Sequence, residues 1–271
     1  TGGARGWTVR TSRSERSHDV VVVATGRDRV GQVPEWAGRE ESSVEVLHSS
    51  EFRSPAAFVG RRVLVVGAGN SGTEIAHLLA AADVETTLSM RSRPVWSRRE
   101  LFGTTLTRLA VRWVRLPDRV VDLSGRVMQA VLFRGLRRAG LAPPDHRLSH
   151  VAHASGATLD SGFVDDARSG LIDVVPGVER FDGECVVLAD GARREVDVVI
   201  AATGSSPRLD EFLPVDLVRD GWPIAGDPPF EQAPGLFTAG LNPARLTAFH
   251  PDFITEAEQI AAAATDRLVA R

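Results

Sequence analysis

The reading turns on Val63-Leu64-Val65-Val66-Gly67-Ala68-Gly69-Asn70-Ser71-Gly72 and the residues that follow as far as Arg93. A β-branched run fit for a strand buried on both faces leads directly into G-x-G-x-x-G. Residues Asn70–Ala82 then carry apolar side chains at Ile75, Ala76, Leu78, Leu79 and Ala82, which is helical spacing, and Val84–Met90 reads as the next strand. The glycine pattern alone is weak, but strand, glycine turn, helix and strand in that order form a nucleotide-binding βαβ unit. Gly67 permits the tight turn, Gly69 lets backbone approach a pyrophosphate, and Gly72 lets helix and strand pack closely. Ala68, Asn70 and Ser71 complete a loop whose free N–H groups and positive dipole end suit phosphate.

The choice of dinucleotide follows from the end of the second strand. NAD sites place an acid there for the ribose hydroxyls. Here the position holds Arg91-Ser92-Arg93, Arg98 and Arg99 follow, and no acid occurs between Glu85 and Glu100. An acid would repel a 2′-phosphate, whereas arginine binds one through paired N–H donors. Arg91, Ser92 and Arg93 are therefore expected to select NADPH.

Working outward, Gly6–Thr11 reads as a strand and Asp19–Ala24 as a strand buried on both faces, ending at Thr25-Gly26. Residues 27–60, with Pro34, Gly38, Pro55 and Gly60, read as a loop-rich inter-domain connection. Leu106, Leu109, Ala110, Trp113 and Val114 follow one helical pattern, and Val121, Met128, Val131, Leu132 and Leu136 a second, ended by Gly140 and Pro143. Residues 145–170 read as irregular. Strands are expected at Ile172–Val175, Cys185–Leu188, Glu195–Ala201 and Leu236–Ala239, with a hairpin turn at Asp190-Gly191 and a last helix over Ile254–Leu268.

Composition bounds the function. The 271 residues are 43% hydrophobic and 25% charged, ordinary for a globular protein. A net charge of −3 gives no overall electrostatic reason to expect nucleic acid or an anionic membrane. No apolar run is long enough to span a bilayer. Cys185 is the sole cysteine, which excludes an internal disulfide and a dithiol redox pair and suits a cytoplasmic setting. His146, His150 and His153 share a helical spacing, but Pro143, Pro144 and Gly156 favour a loop over a metal site. Cys185 reads as inert core and Asp165-Asp166 as a solvated turn. The Trp96/Trp113 and Arg-rich helices read as packed on their own domain with arginines facing water, in preference to lying on a membrane.

Several segments resemble flavin-containing monooxygenases of class B, including the plant YUCCA type. His48-Ser49-Ser50-Glu51-Phe52-Arg53 is similar to their H-S-x-x-[YF]-R element, with Trp36-Ala37-Gly38 standing for F-x-G at a longer spacing. Ala24-Thr25-Gly26 and Ala202-Thr203-Gly204 resemble the two A-T-G connectors between domains. Pro234–Leu241 resembles the P-G-L-[YF]-x-x-G element beside the flavin, and Met90–Gly103, Ile172–Phe181 and Leu188–Gly204 resemble the YUCCA pattern. The resemblance implies an α/β fold of two dinucleotide-binding, Rossmann-like domains, the NADPH domain (57–199) inserted into an FAD domain (1–56 and 200–271). It also implies that an FAD glycine motif, absent from this sequence, belongs ahead of Thr1, so that the FAD domain is truncated here.

The chemistry so implied uses FAD, NADPH, O2 and a small N-, S- or keto-acid substrate, through a flavin C4a-hydroperoxide. Thr25, Gly26, Thr203, Gly204 and Gly240 are the implied further cofactor contacts. His48 and Asn70 are the implied catalytic candidates near the nicotinamide–flavin junction. A Baeyer–Villiger enzyme acting on ketones and a non-catalytic NADPH-binding module stay open, as does a homodimer.

Overall fold

The structure is a computed structural model that describes residues 2–3, 6–98, 100–101, 104–105, 116–132, 141, 144–149, 157–224, 231–241 and 250–269. Two compact units emerge, Thr1–Val30 with Ser205–Arg271, and Gly31–Gly204.

The larger unit is built on a five-stranded parallel sheet, whose strands are numbered here in chain order: β1 (Glu45–His48), β2 (Arg62–Val66), β3 (Glu85–Ser89), β4 (Ile172–Val175) and β5 (Val198–Ala201). Their spatial order is β4-β3-β2-β5-β1, every pairing parallel. The run expected to be buried on both faces is so, and the period of two decides what each residue meets. Val63 and Val65 of β2 join a core with Ile75, Ala76 and Leu79 of α1 (Asn70–Ala80), while Leu64 and Val66 join Phe181, Val186 and Leu188. The second set comes from an antiparallel sheet of Val178–Asp182, Cys185–Leu188 and Arg193–Glu195, so the parallel sheet is the middle of three layers. Burying a Val or Leu fully is worth about 1.5–3 kcal/mol, so a strand covered on both sides is a strong organiser.

Chain order reverses direction at β2: β3 and β4 lie to one side, β5 and β1 to the other. Such a switch point opens a crevice at the carboxyl ends of the strands, where ligands of open α/β sheets sit.

Several sequence expectations change. Residues 27–60 are more than a connection, because Glu45–His48 hydrogen-bonds along β5 as an edge strand and two short 3-10 turns follow it. The units consequently divide at 30/31 and 204/205, where 56/57 and 199/200 were expected. Residues 145–170 are not all irregular: Thr158–Asp160 pairs in parallel with Trp96–Arg98, and Phe163–Ser169 is a helix. The Asp160 carboxylate accepts the Gly162 and Val164 amides at the start of that helix. Asp165 and Asp166 therefore lie in a helical first turn, and Asp166 Oδ2 reaches His77 Nδ1 of α1 at 2.6 Å. Cys185 is half-buried where inert core was expected.

Residues 118–132 form the helix α2, placing Val121 and Met128 inward. The helix expected around Leu106–Val114, the residues Arg99, Phe102, Gly103, Leu136, Gly140 and Pro143, and His150 and His153 lie outside the described residues.

In the smaller unit, Val21–Val23 pairs in parallel with Leu236–Thr238, which pairs in turn with Glu231–Ala233. Val22 is 46% exposed, so this strand is covered on one face only, contrary to expectation. Trp7, Val23, Leu209, Leu236 and Leu241 make its core, the Trp7 indole donates to Pro234 O at 2.9 Å, and His250–Val269 supplies the last helix.

The β2–β5 pair is clamped where it begins. The Arg62 amide and guanidinium donate to the two Asp197 carboxylate oxygens at 2.7 and 2.8 Å. The guanidinium and amide hydrogen bonds of Arg62 hold Asp197 down to about 2 from the usual 3.8. A carboxylate depressed in the folded state stabilises above its unfolded value, and that stabilisation drains away as pH falls through its folded value. Asp197→Asn should therefore lower Tm at neutral pH, with the deficit vanishing between about pH 4 and pH 2; thermal melts across that range check it.

Candidate functional site

At the carboxyl end of β2 the backbone turns at Gly67 with φ +117°, a region that disfavours any side chain. A Cβ on Gly67 would lie 2.3 Å from Ala202 O, directly after β5. On Gly72 it would lie 1.9 Å from Gly67 O and 3.2 Å from the Ala202 methyl. Both glycines are thus required by packing between neighbouring turns. Gly69 differs: φ is −78° and a Cβ there would meet nothing within 4 Å. The space in front of Gly69 is open, and this residue caps α1 without a side-chain hydrogen bond or an acid in the first turn. The first free amides of that helix face outward with the positive end of its dipole.

The loop is held from three sides. The Gly67 amide donates to Ser89 O at 2.9 Å, tying β2 to β3. Thr158 Oγ1 donates to Ala68 O at 3.1 Å, and the Leu159 amide donates to Asn70 Oδ1 at 2.8 Å. The strand Thr158–Asp160 thus sets the loop's shape, a role that sequence reading missed because three residues carry no periodicity. Asn70, a catalytic candidate, is in this geometry a positioning residue whose side-chain oxygen is engaged by Leu159. Ser71 is exposed beside it.

Beyond β3, Arg91, Ser92 and Arg93 are all exposed. The two arginines differ. The Arg93 amide and Nε donate to the two oxygens of Asp145 at 2.8 and 2.7 Å, and these bonds hold the Asp145 carboxyl below its usual range. The acid-free stretch of sequence therefore receives an acid from 52 residues away. Arg91 has no ion-pair partner among the described residues, and its stem lies against Gly177, whose Cβ would come 3.6 Å from Arg91 Cβ. Of the arginines expected to read a 2′-phosphate, Arg91 is the one with its charge available.

His48 ends β1 and is 5% exposed. The Ser50 amide donates to Nδ1 at 3.1 Å, so Nε2 carries the proton and donates to Gly204 O at 3.0 Å. The His48 amide in turn donates to Glu51 Oε1 at 2.9 Å, closing a capping box around Ser49–Glu51. Gly204 O also accepts the Gln32 amide at 2.9 Å, and Thr203 Oγ1 donates to Gln32 O. A Cβ on Gly31 would fall 2.2 Å from His48 Nδ1. With both ring nitrogens engaged inside the chain, the buried His48 fastens the Gly31-Gln32 and Thr203-Gly204 segments.

In the smaller unit, Thr25 and Gly26 are exposed, and Gly26 has φ +79° with open space where a Cβ would be. The Gly240 amide donates to the buried Glu256 carboxylate at 2.7 Å.

Residues 4–218, more than half of the chain, match the family described as flavin-binding monooxygenase-like. The chain belongs to that family. It is 32% identical over 269 residues to the probable indole-3-pyruvate monooxygenase YUCCA8 of Arabidopsis thaliana, covering 94% of this chain and 63% of the relative. It thus spans under two thirds of that relative's length. The fold is similar to a flavin-containing monooxygenase from Stenotrophomonas maltophilia, with TM-score 0.68, 21% identity, and coverage of 100% of this chain and 68% of the other. It is also similar to OTEMO in complex with FAD and NADP, with TM-score 0.65, 15% identity, and coverage of 96% and 64%. These folds carry two dinucleotide-binding domains, the architecture expected from the family resemblance.

The glycines make a paired prediction. Gly72→Ala should collapse the fold or lower Tm by several degrees, because backbone cannot yield to a contact of 1.9 Å. Gly69→Ala should leave Tm near wild type, since its Cβ enters open space. Thermal denaturation of both variants decides; equal stability would contradict the steric account.

Proposed function

We propose that this chain belongs to an NADPH- and FAD-dependent monooxygenase that oxygenates a small keto-acid, amine or thioether substrate with O2, and that the Gly31–Gly204 unit holds the NADPH. The observation that carries the NADPH reading is the combination at one sheet end: an unobstructed Gly69 over a bare helix N-terminus, and an Arg91 without an ion-pair partner among the described residues where an NAD site would present an acid. Both fit a dinucleotide bearing an extra phosphate. Gly67, Ala68, Gly69, Ser71 and Gly72 would cradle the pyrophosphate through backbone amides, Asn70 would keep that loop in register through Leu159, and Arg91 would take the 2′-phosphate. Ser92 is placed to assist, while Arg93 would mainly fix the Arg91 turn through Asp145.

FAD is proposed from membership in a flavin-binding family and from the exposed turn at Thr25-Gly26, where a Cβ on Gly26 would meet nothing within 4 Å; Gly240 follows the strand Leu236–Thr238 that pairs with Val21–Val23. When bound, FAD would take hydride from NADPH and activate O2, so the chain's own residues need only bind, orient and exclude water. Thr203 and Gly204, held by Gln32 and His48, would fix the crossing segment next to the nicotinamide end. The keto-acid class is favoured by the name of the Arabidopsis relative, a probable indole-3-pyruvate monooxygenase. No helix among the described residues is long and apolar enough to cross a membrane, and a cytoplasmic location is proposed with the function.

Steady-state NADPH oxidation by the FAD-supplemented protein across keto acids, amines, thioethers and ketones tests the proposal. Substrate-dependent turnover is expected with a keto acid, and none with any class would contradict the monooxygenase reading. Losing charge-assisted hydrogen bonds, Arg91→Ala should raise KM for NADPH roughly 10- to 100-fold and leave NADH nearly unchanged. An equal loss for both coenzymes would remove the 2′-phosphate role.

A further inference from the structure

The strand β3 ends on a serine that makes two separate contacts. Ser89 is fully buried. Its carbonyl accepts the Gly67 amide at 2.9 Å, on the side of the glycine loop. Its hydroxyl donates the other way, to Pro176 O at 2.8 Å, just beyond β4. The next amide, Met90, donates to Val175 O at 3.0 Å. Two consecutive residues therefore tie the chain leaving β3 to the chain leaving β4. A hydroxyl buried at a strand end is costly unless it is bonded, and this one is bonded to the turn that carries Gly177.

Gly177 lies beneath Arg91. A Cβ at 177 would come 3.6 Å from Arg91 Cβ, 3.7 Å from its Cα and 3.9 Å from its Cγ, so the arginine stem rests on glycine backbone. Gly177 is not among the glycines with positive φ, so the shape of the turn does not itself demand glycine. What a side chain here would disturb is Arg91. The Gly177 carbonyl accepts the Ala189 amide at 2.8 Å, which pins the turn to the antiparallel layer. The arginine turn is also held at its far end, where Arg93 donates to the Asp145 carboxylate and the Asp145 amide donates back to Arg93 O at 3.1 Å. Arg91 and Ser92 thus lie between two fixed points. An arginine whose backbone and stem are already placed gives up less freedom when it binds an anion.

We propose that Ser89 and Gly177 are specificity-determining residues for the coenzyme. The Ser89 hydroxyl holds the Pro176-Gly177 turn beneath Arg91, and the bare Gly177 backbone seats the Arg91 stem, so that its guanidinium is held ready for a 2′-phosphate. Both act through Arg91 and are positioning residues; the proposal rests on the NADPH reading of the same site. Ser89 fixes Gly67 through its carbonyl, which any residue supplies, and fixes Pro176 through its hydroxyl. Removing the hydroxyl therefore keeps the glycine loop and loosens only the arginine seat.

Calorimetric titration of the 271-residue chain with NADPH, NADH, 2′,5′-ADP and 5′-AMP tests it. Wild type should favour NADPH over NADH and 2′,5′-ADP over 5′-AMP. Ser89→Ala should weaken both 2′-phosphorylated ligands roughly three- to tenfold, the scale of one lost hydrogen bond, with little change for NADH and 5′-AMP. Ser89→Thr, which keeps the hydroxyl, should recover most of that loss. Gly177→Val, which lifts the Arg91 stem without touching Ser89, should reproduce the loss and serves if Ser89→Ala misfolds. Equal weakening of all four ligands, or undiminished 2′,5′-ADP binding by the folded variants, would overturn the proposal and leave the NADPH reading standing. A wild type that shows no preference in either pair would remove the NADPH reading, and this proposal with it.

Discussion

A steric constraint at the end of β2 organises the larger unit. The turn leaving β2 and the turn leaving β5 pass so close that neither Gly67 nor Gly72 can carry a Cβ without striking backbone, at Ala202 O and Gly67 O respectively. That proximity draws the start of α1 down onto the sheet and leaves its first amides directed outward at the switch point of the strand order. The parallel pairing of β2 with β5 holds the two turns together, the Arg62–Asp197 clamp fixes the far end of the pair, and the strand Thr158–Asp160 props the loop from above. The open space at Gly69 results from these restraints, and the proposed phosphate site would use it.

How much of this was legible in the sequence depended on whether the signal was local. The βαβ unit was, because strand, glycine turn and helix each have a short-range signature and occur in the required order. The roles of Gly67, Gly69 and Gly72 could be told apart from the motif, and the contacts separate them in the same way. The family could be named from motifs whose order runs along nearly the whole chain. Edge strand β1 was not legible, since four residues within a loop-rich stretch form a strand only because β5 offers them a partner. The same holds for Thr158–Asp160. The Arg93–Asp145 pair joins residues far apart in sequence, so Arg91 and Arg93 looked alike although, among the described residues, Arg93 is paired and Arg91 is not. His48 was recognisable as a motif residue, but its ring hydrogen bonds, to Ser50 and Gly204, could come only from coordinates.

Charge shows the same contrast between average and arrangement. The whole-chain value of −3 conceals a stretch of eight arginines against two acids around α2. A net charge describes solubility and long-range attraction, while recognition depends on where the charge is placed.

The central claim is that the amides opening α1 form a preformed pyrophosphate cradle. Hydrogen–deuterium exchange of the 271-residue chain with and without NADPH addresses those amides directly. Slowed exchange in the peptide containing Gly67–Thr73, together with slowed exchange around Arg91, is the result this account predicts. Unchanged exchange at the glycine loop under saturating NADPH, or protection confined to other segments, would contradict it.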